Sequence, residues 1–528
     1  MKNKNIQQKI IGEYEVIAEI PSDSLWDKIE SRINTSEHTA DNKKARKILM
    51  KPILITAICV MLITTAAATT PLILKMLGSN IEFFDSDKQT RYSADQELIK
   101  QYSSKVGITA EGDGFSFTVD NIAYDGIFMS VFYTIRKDIN IREETIEQVK
   151  RWKNSWKTND KFIEREAIWN NEIYMEIPGY IERPNYTEEN IQELLIGTNP
   201  YELLHDTLKT PIRDGYFVSD YELKGMQRYT ITDDLPDIFD IEISYTNGRY
   251  FTDYLARPKI RLTIDISESK VEKLIATPDI LAVTTQRYIN YTEELQHDIT
   301  INKVSISPLG NVIAFTQKGG SGELNQELFN NYFIVDDKGN FYGKADHSYN
   351  YRKDWEKDAS IIVEFYGNVP SDVQYLKLIP YNFSPVGEII RFIGENPEDY
   401  PDPDPRGYYL ESKAYISDLP YSFKQSDYGR VIIESCVVTE HDITVTYRYD
   451  GMVVAPFIII TDGDKSISPS GQLSTSAAPV YNRNTDSYSN IWTIEKPIEN
   501  VRELVKGLIV IQYDVELLEE QAIFIPLK

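Results

Sequence analysis

Between Ile53 and Leu74 the chain reads ILITAICVMLITTAAATTPLIL, 22 residues without a charged side chain. At 1.5 Å rise per residue, about 20 helical residues cross the hydrocarbon core of a bilayer, so this run has the length of one membrane span. A buried core helix seldom lacks a polar face for so long. A cleaved signal peptide, with Ala66-Ala67-Ala68 as its small-residue site, would need a leader of about fifty residues, much longer than such leaders are. The sequence therefore predicts a transmembrane helix over residues 52–75. Pro71, behind the small and hydroxylated residues Ala66 to Thr70, predicts a weakly packed outer third that can bend.

The flanks give the direction. Lys43, Lys44, Arg46, Lys47 and Lys51 crowd the N-terminal side, and only Lys75 follows the run immediately. The positive-inside rule then places residues 1–51 in the cytoplasm and the remainder outside the cell membrane. Charge divides at the same point. Residues 1–51 hold ten Lys/Arg against eight Asp/Glu, whereas the whole chain carries −25. So acidic a chain is a poor nucleic-acid partner.

At 528 residues the chain is too long for one core, and length alone predicts three or four domains. Its 35 Tyr and 20 Phe suit strands. The two cysteines, Cys59 and Cys436, are far apart, and Cys59 lies inside the apolar run. A disulfide between them is not expected, and large outer domains do without one.

In FTVDNIAYDGIFMSVFY, residues 117–133, the strand-like alternation slips: Phe117 and Val119 share one phase, Ile122 and Tyr124 the other. The slip recurs at Ile299, Ile301, Val304 and Ile306, and again at Val431, Ile433, Cys436 and Val438. One extra residue in a strand is what a β-bulge inserts, and it returns both halves to one core. Each copy runs into a turn and a second alternating strand. The turns are Asp125-Gly126, read as a two-residue hairpin, then Ser307 to Gly310, then Thr439 to Asp442. Three copies argue for three related β-domains.

The expected architecture is mainly β: one N-terminal transmembrane helix followed by about three extracytoplasmic β-sandwich-like domains, the first with helical insertions. The boundaries fall as a cytoplasmic segment 1–51, the span 52–75, a juxtamembrane helical connector 76–105, and a first β-domain 106–267. A second β-domain follows at 268–395, a linker rich in Pro and Asp at 396–410, and a third β-domain at 411–528. The helical insertions are REETIEQVKRWKNSW and TEENIQELL.

Motifs for chemistry are missing. The five histidines, His38, His205, His297, His347 and His441, form no HExxH and no close pair with cysteine. Each reads as a surface or turn residue. There is no GxSxG elbow and no phosphate-cradling GxxxxGK[ST] loop. Asp462-Gly-Asp464-Lys-Ser466 begins like a calcium loop, but Ile467 and Leu473 stand where the glycine and the closing acid belong. Asp402 and Asp404 between prolines read as linker solvation. No catalytic, cofactor-binding or metal residue is assigned, and an enzyme is not expected.

The inner segment does carry a pattern. IPSDSLWDKIESRI, residues 20–33, reads as a helix capped by Ser22 or Asp23, with Leu25, Trp26, Ile29 and Ile33 on one stripe. Fifty residues bury such a stripe poorly by themselves. Two readings stay open on the residues: a helix lying on the inner leaflet, drawn by Lys43 to Lys51, or a groove-binding helix that grips a cytoplasmic partner.

From the basic segment and span onward, the stretches SNIEFFDSDKQTRYSADQELIKQYSSKVGIT, GFSFTVDNIAYDGIFMSVFYTI and DITINKVSISPLGNVIAF occur in an order that matters. That order resembles a family of single-pass bacterial membrane proteins carrying the domain of unknown function 4179 and a following β-domain. The resemblance covers most of residues 50–390. It implies an anti-sigma-factor-like role, in which the inner helix restrains an extracytoplasmic-function sigma factor while the outer domains respond to an unknown extracellular ligand or envelope condition. It supplies no catalytic or ligand residues. The competing reading is a membrane-anchored surface binding or scaffold protein, whose outer tyrosines stack on sugars.

Overall fold

The computed structural model describes residues 72–85, 95–112, 114–152, 160–169, 171–179, 212–232, 234–247, 259–268, 273–287, 294–318, 329–350, 359–385, 389–390, 408–409, 413–462, 467, 473–475, 479–494 and 500–528. The chain divides into two compact units, Met1–Thr70 and Pro71–Lys528. The first unit lies outside the described residues.

All three slips are bulges. Strand β3 (Phe115–Tyr124) pairs with β4 (Phe128–Lys137), and its register shifts between Val119 and Asn121. The strand Glu294–Ser307 shifts between Ile301 and Lys303, and Gly429–Val438 shifts between Ile433 and Ser435. The skipped residues are thus Asp120, Asn302 and Glu434. Each sends its polar side chain to the partner strand: Thr134 donates to Asp120 at 2.6 Å, Asn302 donates to Thr316 at 2.7 Å, and Arg448 meets Glu434 at 3.2 Å. The extra residue faces away from the core, so Phe117, Val119, Ile122 and Tyr124 are all buried. The same holds for Ile299, Ile301 and Val304. In the third copy Val431 and Ile433 are buried, while Cys436 is only partly so.

Domain one is a two-sheet sandwich. One sheet runs β1 (Leu72–Lys75), β9 (Lys259–Asp265), β8 (Ile238–Asn247), β5 (Asn171–Glu176). The other runs β2 (Ser103–Gly112), β3, β4, β7 (Glu222–Thr230), β6 (Ile212–Ser219). Phe117, Val119 and Tyr133 from the second sheet meet Ile241, Ile243 and Leu262 from the first in one core. Helices α2 (Ile141–Trp152) and α3 (Asp160–Trp169) follow β4. Asn140 starts α2 by accepting the Glu143 amide at 2.9 Å, and acids at 143 and 144 suit its N-terminus. The second expected insertion, TEENIQELL, lies outside the described residues.

Two expected boundaries move here. The span was read to residue 75, yet Leu72–Lys75 is strand β1, paired in parallel with Leu262 to Asp265. Burying Leu74 and, just beyond it, Met76 stabilises this edge by about 1.5–3 kcal/mol each. Residues 53–71 of the apolar run lie outside the described residues, and no helix among those described is long and apolar enough to cross a membrane. The connector 76–105 is not a separate helical piece either. Its described residues hold one 3-10 turn, Glu82–Asp85, and one short helix α1, Gln96–Gln101, before β2 begins at Ser103. Ile81, Phe83 and Ile99 bury against Phe132, Tyr216 and Met226 of domain one.

Domain two pairs a sheet containing Glu294–Ser307, Gly310–Gln317 and Ala359–Phe365 with one built on Tyr332–Asp336 and Tyr375–Pro385. The last strand of the chain, Ile523–Pro526, joins this second sheet beside residues 375–378. Ile523, Ile525 and Leu527 lie in the core of domain two, and Tyr513–Leu517 extends the other half of Tyr375–Pro385. The expected third domain, 411–528, therefore ends too late. Its sandwich, with Phe423, Val431, Ile443, Ile460 and Leu508 in the core, is an insertion into domain two. Within the expected linker 396–410, Tyr408–Tyr409 pairs with Ile389–Ile390.

Candidate functional site

The first two bulged hairpins meet turn to turn. Three residues, Asp125 to Ile127, separate β3 from β4, so the turn is longer than the two-residue hairpin expected. Asp125 is fully buried, and one of its oxygens accepts the amides of Ile127 and Phe128 at 3.0 and 2.8 Å. Its other oxygen accepts the Leu309 amide of domain two at 2.9 Å. Beside it, the Arg228 guanidinium lies over the Phe128 ring at 3.8 Å and donates to Glu364 at 2.9 Å. Thr230 donates to the other Glu364 oxygen. Both charged side chains are buried. A charge out of water needs its partner close, and here the partners come from different domains.

Domains two and three meet through rings. Tyr366 stacks on Tyr481 at 4.7 Å, edges onto Tyr488 at 5.4 Å, and donates its hydroxyl to the Pro479 carbonyl at 2.8 Å. Tyr449 and Tyr488 lie 4.3 Å apart, and Phe341 meets Tyr449 at 6.0 Å. Gly343 admits this contact, since a Cβ there would stand 2.7 Å from the Tyr488 hydroxyl. Burial holds the hydroxyls of Tyr447, Tyr449 and Tyr488 well above the usual tyrosine range. These rings are sequestered in a joint, so they are no sugar platform.

An open cleft of ≈530 Å³ lies at one end of the β2-β3-β4-β7-β6 sheet. The sheet register aligns its floor. Glu111, Ser116, Arg136 and Glu222 are successive cross-strand partners on four strands. The next row is Thr109, Thr118, Thr134 and Lys224, with the two threonine hydroxyls of β2 and β3 2.8 Å apart. Arg136 donates to Glu222 at 2.8 Å, and that bond holds the guanidinium pKa above its usual value. Lys137, nearly buried, reaches Glu144 of α2 at 2.7 Å. Burial raises the Asp120 carboxyl above its ordinary range, against the Thr134 bond. Phe115 and Tyr221 bound the cleft, and Tyr221 is 54% exposed.

Among the described residues no group of three or more His, Cys, Asp or Glu is placed to hold a metal ion. His297 is not the surface residue expected. It lies 3% exposed against Phe329, and burial pushes its pKa down to about 4. Cys436 is a free thiol, pushed up to about 11 by burial and so unreactive. The residues singled out in the sequence, Leu25, Trp26, Ile29 and Ile33 of the expected N-terminal helix and Lys43, Lys44, Arg46, Lys47 and Lys51 of the flank, lie outside the described residues. The cleft was missed. Its polar alternation, Ser116-Thr118 and Thr134-Arg136, is visible in the sequence as a solvated strand face, but nothing local brings Tyr221 and Glu222 to it.

Comparison with known proteins adds two family matches. Residues 44–137 match the domain of unknown function DUF4179, which reaches from the basic flank to the end of β4. Residues 284–416 match the family of unknown function DUF5643. No curated protein matches. A crystal structure of a conserved domain protein from Bacillus anthracis is similar at 11% identity and a TM-score of 0.32, over 65% of this chain and 90% of that one. The chain thus carries a DUF4179 domain, with a DUF5643 domain behind it in the same β-rich body.

Proposed function

We propose that the chain is a single-pass membrane regulator of the anti-sigma-factor kind. Its N-terminal segment lies in the cytoplasm, its β-domains lie outside, and it catalyses no reaction. Leu25, Trp26, Ile29 and Ile33 restrain a sigma factor, while the outer body responds to an envelope condition or ligand. One observation supports this above others: strand β1 starts at Leu72, within the last three residues of the apolar run, and pairs with β9. Because the last residues of the apolar run belong to domain one, a rearrangement of that domain would bear on the segment before it. An anchor for a scaffold has no need of so short a connection.

The test is capture. Residues 1–51 fused to a carrier should retain a sigma factor from the cell's own extract, and Trp26→Ala or Ile29→Asp should weaken retention at least about tenfold. Failure of the segment to bind any transcription protein ends the regulator reading. The scaffold alternative is separated by deleting residues 1–40. A regulator then derepresses its target genes, whereas a scaffold keeps its phenotype.

A further inference from the structure

We propose that the cleft at the end of the β2-β3-β4-β7-β6 sheet binds a saccharide, as the ligand of the outer body that the regulator reading requires. The floor fits that chemistry. Adjacent strands stand about 4.8 Å apart, close to the width of a pyranose ring. The row Glu111, Ser116, Arg136, Glu222 therefore sets an acceptor, a hydroxyl, a donor and an acceptor side by side at that interval. A sugar hydroxyl both donates and accepts, so it suits a row of mixed character. Arg136 spends one of its donors on Glu222, which fixes the guanidinium plane before any ligand arrives.

Charge narrows the choice. An anionic ligand would meet Glu111, Asp138 and Glu222, and a polycation would meet Arg136 and Lys137. A neutral polyol meets no net repulsion from either set. The rings supply the apolar part. Phe115 folds over Gly112, where a Cβ would stand 2.4 Å from the ring, and edges onto Tyr245 at 5.4 Å, so its plane is held. Tyr221 leaves half its surface to solvent at the rim. The Tyr221 ring, against this fixed Phe115 wall, is the aromatic face that accepts the C–H face of a sugar ring. The volume, ≈530 Å³, lies inside the range of small-molecule sites and gives room for a short oligosaccharide.

The experiment uses the purified full chain in detergent, applied to an array of neutral and N-acetylated oligosaccharides, with hexalysine and inorganic phosphate as controls. Saturable binding of at least one saccharide is expected. Tyr221→Ala and Arg136→Ala should each weaken it at least about tenfold while leaving the melting temperature within about 2 °C, because both side chains are largely exposed. Binding of no saccharide, binding indifferent to both substitutions, or preference for hexalysine or phosphate each overturns the site. The assay is independent of transcription. Saccharide binding in a chain whose 1–40 deletion leaves target genes silent keeps the site and removes the regulator.

Discussion

The two joints of the β-rich body are built from opposite materials. Domain one meets domain two through the buried pair Arg228–Glu364 and the shared carboxylate of Asp125. Domain two meets domain three through stacked tyrosines. A buried ion pair adds little net stability over an apolar substitute, but it tolerates only one geometry and penalises its own loss. Rings bury large areas and accept several offset arrangements. The first joint therefore fixes an angle, and the second supplies adhesion. This division suits the chain order, since the first joint belongs to the domain that contains β1.

The sharpest way to break the contrast is to orphan one charge. Arg228→Ala should cost about 3–5 kcal/mol in denaturant unfolding of the full chain, since the buried Glu364 carboxylate, which also accepts from Thr230, loses its guanidinium counter-charge. Replacing both partners, Arg228→Met with Glu364→Leu, should recover most of that loss. A single substitution costing less than about 1 kcal/mol would mean that water reaches the pair and that the joint is not the fixed one.

A smaller effect separates the core of domain two from the tyrosine joint by pH. His297 in domain two has its pKa lowered to about 4 by burial, against about 6.5 in an unfolded chain. The depressed value favours the neutral ring in the fold. Its stabilisation is thus present above pH 6.5 and lost as pH falls toward 4, a change of about 3 kcal/mol at most. Melting curves between pH 7 and pH 4.5 should show domain two giving way, and His297→Asn should flatten that limb. The tyrosines of the joint between domains two and three carry the opposite sign. With folded pKa values raised, they leave stability unchanged below pH 10 and withdraw it above, as the unfolded chain ionises first.

What could be read in advance follows the range of the interaction that decides it. A bulge is set within one strand, so the phase break at Val119, Ile301 and Ile433 announced all three. The helix over residues 141–152 has a local cap and was equally legible. Strand β1 was not, because LILK at the end of an apolar run looks the same in a helix or beside β9. The closing strand shows its alternation in Ile523, Ile525 and Leu527, yet no residue there states that its partner is Tyr375–Pro385, beyond an entire inserted domain. The cleft failed for the same reason: its rows exist only once four strands have found their register.

The least of the expected effects tests the adhesive joint. Tyr366→Phe keeps the ring over Tyr481 and removes the hydroxyl with its bond to the Pro479 carbonyl, 2.8 Å long. If stacking area holds the joint, the loss should be about 0.5–1.5 kcal/mol by chemical denaturation, the net worth of one hydrogen bond. Tyr366→Ala should then cost several times as much, because the ring leaves a gap between Tyr481 and Tyr488. Equal losses for the two substitutions would place the holding force in the hydroxyl. The tyrosine joint would then be as particular about geometry as the ion pair, and the contrast between the joints would vanish.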